Sequence, residues 1–172
     1  MSMQGRLPTS RALLYGTLAV GVLDLLDAFV FFGLRSGVRP VRILHSIASG
    51  LLGRASFAGG WRTATLGLAL HFFIAFVIVL VFMMASRPLP WLRRHAVPAG
   101  LLYGLAVYLI MTFVVVPASA AASGTPPWPV ALNGVLIHMF GVGVRCDPDD
   151  PPQRDAATAR PYWGTYPVLL GE

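Results

Sequence analysis

Two aspartates three residues apart, Asp24 and Asp27, interrupt an otherwise apolar run, GVLDLLDAFVFF at 21–32. Carboxyl groups in such a setting can hold or pass a proton, bind a cation, or pair with a cationic side chain. An ionised Asp at mid-bilayer costs about 2.5–3.5 kcal/mol on insertion scales, so both must be protonated, paired or hydrated. Candidate partners come from the other apolar stretches. His71 shares a helix face with Ala64, Gly67 and Ala75, and His138 shares one with Ala131, Gly134 and Gly141. Gly100 and Gly104 lie above Tyr108 and Thr112, and Asp24 follows Thr17 and Gly21 and precedes Ala28. Small residues let helices approach closely, so each of these faces should point into a bundle. The expected result is a polar seam of Asp24, Asp27, His71, Tyr108 and His138, with Gly67, Gly100, Gly104 and Gly134 as packing positions.

Several chemistries fit that seam. Interhelical hydrogen bonds alone would hold the bundle together at about 0.6–2 kcal/mol each. The same residues could line a proton or cation path. Two His on facing helices can ligate a haem, and His71, His138 and Asp24 are a plausible divalent-metal set, although no cofactor is the leading expectation. At 1.5 Å per residue from the cytoplasmic ends, Asp24 lies about 18 Å deep, His71 about 19 Å, Tyr108 about 16 Å and His138 about 9 Å. That offset weighs against a ligand shared by the two His. Asp24 and Asp27 are about 300° apart around the helix, so both can face one partner helix. No nucleophile elbow, HExxH, P-loop or GxGxxG occurs, so no enzymatic reaction is expected. The single Cys146 excludes an intrachain disulfide.

The elements that must position these residues are transmembrane helices. Of 172 residues, 56% are hydrophobic and 12% charged, and the mean hydropathy is +0.69, which excludes an ordinary aqueous globule. Four apolar stretches are expected to span, at about 12–34, 61–84, 97–116 and 128–144, the last being short. The chain is thus all-α, a polytopic four-helix membrane bundle. Between the first two spans, residues 40–54 show helical periodicity with Leu44, Ile47, Ala48, Leu51 and Leu52 on one face and Arg42, Ser46, Ser49 and Arg54 elsewhere. That helix is too short to span and is expected to be interfacial or re-entrant, opened by Pro40. Arg35, Arg39, Arg42 and Arg54 around it are candidates for contact with lipid headgroups.

All 13 cationic side chains are Arg, and flanking apolar spans they set topology rather than bind nucleic acid. A cytoplasmic N-terminus leaves the loop PASAAASGTPPWP, which has no Arg, outside, so both termini are expected to be cytoplasmic. The basic start of the chain could open a signal peptide, but no small-x-small site follows, and an uncleaved first span is expected. Residues 145–172 hold four Asp, five Pro and three Arg, too polar to bury a core, so a disordered cytoplasmic tail is expected there.

LHSIASGLLGRASFAGGWRTATLGLALHF at 44–73, followed by PAGLLYGLAVYLIMTFVVVP and NGVLIHMF, resembles an uncharacterised group of small four-span bacterial inner-membrane proteins over about residues 12–143. The resemblance implies a bacterial inner-membrane location and no activity, and makes His71 and His138 part of the group's pattern. In that group the last span continues apolar after the histidine. Here it becomes acidic and Pro-rich after Gly143, a departure abrupt enough to fit an altered reading frame at the 3′ end of the gene. Taken together, these readings favour a non-enzymatic scaffold or accessory subunit packing with lipid and with copies of itself or a larger complex. The rival reading is a bundle that handles protons, cations, metal or haem through the Asp/His set.

Overall fold

The computed structural model describes residues 9–89, 92, 95–121 and 124–143. The described residues are helical, without strands. α1 (Thr9–Ser36) ends where Gly37 turns to φ 62°, and the amides of Gly37 and Val38 return to the carbonyls of Gly33 and Phe32, a glycine-terminated helix end. Pro40 then opens α2 (Pro40–Leu52), where a missing N–H costs no helical bond. Gly53, at φ 57°, stops α2, and a 3₁₀ segment, Gly53–Ala58, leads into α3 (Gly60–Ser86). α4 (Ala96–Ile110) continues through a wider π-helical stretch, Met111–Val115, and a last turn, Val116–Ala118. α5 (Trp128–Ile137) begins with Pro129 in its first turn and widens in the same way at His138–Gly143.

Three helices are long and apolar enough to cross a membrane: Ser10–Ser36, Gly60–Ser86 and Val97–Ala118. The fourth apolar helix, Trp128–Gly141, is shorter. Large apolar side chains point outward, Leu34 at 86% exposure and Trp128 at 76%, as a chain solvated by lipid requires. The packed interior is narrow: Val20 of α1 with Ala75, Val79 and Phe82 of α3, flanked by Leu13, Ile78, Met83, Leu92 and Tyr103. α3 touches α1 and α2, the ring of Tyr103 on α4 meets Phe82 at 5.0 Å, and the end of the α5 segment packs on both α4 and α1. The four apolar helices therefore close a ring.

α2 packs on the bundle through Ile43, His45, Ala48 and Ser49 and leaves Leu51 and Leu52 exposed. Two features hold that face. Gly67 of α3 is so close to the backbone carbonyl of Leu44 that any Cβ there would collide, which fixes the crossing on the Leu44–Ala48 backbone. The polar groups on the buried face are also satisfied, with His45 Nε2 donating to the Gly60 carbonyl at 3.0 Å and the Ser49 hydroxyl to the Ser46 carbonyl at 2.6 Å. At its far end, the Ala120 amide donates to the Gly50 carbonyl, tying α2 to the end of the third long helix. The expected tail, 145–172, lies outside the described residues.

Candidate functional site

Asp24 sits half-way along α1 between two imidazole rings. Its Oδ2 is 4.0 Å from His71 Nδ1 on α3, and its Oδ1 is 4.0 Å from His138 Nδ1 at the end of α5. Both rings are oriented by backbone. His71 Nε2 lies 2.8 Å from the Gly21 carbonyl, and His138 Nδ1 lies 2.8 Å from the Gly134 carbonyl. A carbonyl only accepts, so each of these nitrogens carries the hydrogen. Neutral His71 is then the Nε2–H tautomer with the Nδ1 lone pair turned to Asp24, whereas the His138 Nδ1–H is given to the Gly134 carbonyl and that ring lies beside the other carboxyl oxygen without a hydrogen bond to it.

That orientation has a chemical consequence. At 4.0 Å, Asp24 Oδ2 and His71 Nδ1 are electrostatic neighbours without a direct hydrogen bond, and a proton held by either group removes the repulsion between carboxylate and lone pair. The proton can reside on the carboxyl beside neutral imidazole, or on the imidazole as an ion pair with carboxylate. Either arrangement leaves the pair with no net charge, the form that a medium of low dielectric tolerates. The helices make this geometry through close approach. At Gly21 an added Cβ would press on the Phe72 ring, so glycine there lets α3 bring His71 within reach of the Gly21 carbonyl.

The two aspartates have different side-chain partners. Asp24 reaches His71 on α3 and His138 beyond α5, whereas Asp27 Oδ2 accepts from Asn133 Nδ2 on α5 at 2.7 Å. Both carboxyl groups thus meet the α5 segment, and only one meets a histidine. The depth offset expected for His138 is corrected: counted from Trp128, His138 lies ten residues in, about 15 Å, level with Asp24.

Tyr108 packs its ring against His138, centroids 5.7 Å apart and nearly perpendicular, and would strike a Cβ placed on Gly134. Gly104 lies against the backbone of His138 and Met139, and Gly100 is buried on the same helix. All four glycine positions are therefore occupied within the chain. Two polar residues that matter were not singled out by sequence. Asn133 is one. Tyr103 is the other, with its hydroxyl donating to the Ile78 carbonyl at 2.6 Å across the α3–α4 contact. The buried Thr17 hydroxyl, two turns before Asp24 on α1, finds no partner among the described residues.

Asp24, His71 and His138 open onto a cavity of about 250 Å³, otherwise walled mainly by aliphatic side chains including Ile43 and Ile47 of α2. The Asp24 side chain keeps 29% exposure. Met111 and His138, the first residues of the two π-helical stretches, both border it. Such widened turns gather at functional positions because they re-aim a side chain without ending the helix. Among the described residues no three His, Cys, Asp or Glu side chains are arranged to hold a metal ion. Of the four Arg candidates around α2, Arg39 and Arg42 line a separate cavity, and Arg35 and Arg54 do not. No protein-family model, curated protein or solved structure matches this chain, so its own geometry carries the functional reading.

Proposed function

We propose that this chain is a four-span protein of the bacterial inner membrane, with both termini cytoplasmic, whose Asp24–His71–His138 cluster takes up and passes on a proton inside the bundle. The observation that carries the reading is the placement of His71, with Nε2 2.8 Å from the Gly21 carbonyl and Nδ1 4.0 Å from Asp24 Oδ2. A carboxyl group and two imidazoles gathered at one cavity suit relay better than pure bracing. The Asp27–Asn133 hydrogen bond supplies the bracing role on the same helix.

The scaffold reading has lost its original motive. The small-residue faces at Gly67, Gly104 and Gly134 are filled by Leu44, His138 and Tyr108 of the same chain, so a partner subunit would have to meet the large outward side chains. Acid-minus-neutral infrared difference spectra of the full chain in lipid test the cluster. Carboxyl and imidazole bands should change together, vanish in Asp24→Asn and persist in Asp27→Asn. Wild-type spectra without linked carboxyl and imidazole changes would overturn the reading.

A further inference from the structure

A second cavity, of about 460 Å³, lies where α1 ends and α2 begins, with Gly37, Arg39, Arg42, His45 and Phe57 in its wall. Its chemistry is that of an anion site built from several independent parts. The Arg42 guanidinium lies 5.3 Å from the centroid of the Phe57 ring, a stacking contact that fixes the group while leaving its in-plane N–H edges open. Arg39 precedes the helix by one residue and is exposed, three positions from Arg42. His45, only 9% exposed, borders the same space, and its Nε2 is used by the Gly60 carbonyl, so Nδ1 is the nitrogen left for a ligand. The first turn of α2 adds its dipole, with no acidic residue and no side-chain cap to neutralise it.

Among the described residues no carboxylate is left over for these guanidinium groups. Between residues 9 and 143 the only carboxylic side chains are Asp24 and Asp27. Asp24 is engaged by two histidines and Asp27 by Asn133, so neither serves Arg39 or Arg42. We propose that this cavity binds a phosphate group, held by Arg39, Arg42 and the first turn of α2, with His45 completing the wall. Two guanidinium forks suit the several oxygens of a phosphate better than a single carboxylate. The phosphate can be that of an anionic lipid headgroup or a free ion, and the two sources separate by experiment.

The full chain in uncharged detergent is titrated with phosphatidylglycerol, with diacylglycerol, which has the same tails and no phosphate, and with inorganic phosphate. Thermal stabilisation and native mass spectrometry give the readout. Phosphatidylglycerol should bind and diacylglycerol should not. Stabilisation by inorganic phosphate as well would assign the site to the free ion, and its absence would assign the lipid headgroup. In Arg39→Gln/Arg42→Gln binding should weaken at least about tenfold, the scale of lost charge-assisted hydrogen bonds, whereas Arg54→Gln/Arg62→Gln should bind as wild type. If the Arg39/Arg42 pair fails to fold, Arg39→Gln alone, at an exposed position, should still weaken binding. Equal losses in the two double variants would mean diffuse attraction and overturn the site. So would binding of diacylglycerol as tight as that of phosphatidylglycerol, or failure of both phosphate probes to bind.

Discussion

Asp24 and Asp27 are three residues apart, yet their surroundings assign them different work. Asp27 ends in a neutral amide, 2.7 Å from Asn133, a hydrogen bond that satisfies the carboxyl group without offering it anywhere to send a proton. Asp24 ends between two rings that can each gain or lose a proton. Replacing Asn133 by Leu therefore tests the bracing role alone: Asp27 loses its donor, the bundle should lose about 1–3 kcal/mol, and Tm in detergent should fall. The infrared signature of Asp24 should survive. At this scale much was legible in the sequence, since acids and histidines in apolar runs announce themselves through their insertion cost. Asn133 was not, because a single neutral amide disturbs no periodicity, and its value lies wholly in which way α5 is turned.

At the level of elements, glycine decides how near two backbones come and thereby which side chains meet. Gly104 lies against the His138 carbonyl, and Gly67 against the Leu44 carbonyl. Gly104→Ala should push α5 away from α4, cost about 1–3 kcal/mol through overpacking, and weaken the contact between Asp24 and His138. Thermal unfolding in detergent checks the first effect, and loss of the His138 component from the infrared difference spectrum checks the second. The small-residue stripes were readable from spacing, but their partners were not, because spacing alone does not tell a neighbour in the same chain from a second protein. Which face of α2 meets the bundle was not readable for a similar reason, since it is set by the Gly67 crossing and the His45 and Ser49 hydrogen bonds.

At the scale of the whole molecule, four apolar helices form a ring with outward-facing Leu, Val, Phe and Trp, and α2 packs along it with Ile43 and Ile47 bordering the inner cavity. Three of the helices have membrane-crossing length, and the fourth is short and widened where it presents His138. The polar seam expected from four separate stretches converges on one carboxyl group, and the anion cavity at the α1–α2 junction stands apart from it. On the proposal made above, Asp24 takes up a proton within this ring and passes it on. Proton flux into liposomes containing the full chain, driven by an imposed membrane potential and read by an internal pH dye, tests this most directly. The account predicts flux above protein-free liposomes that Asp24→Asn abolishes and Asp27→Asn retains. Equal flux in wild type and Asp24→Asn, or none in wild type, would contradict it.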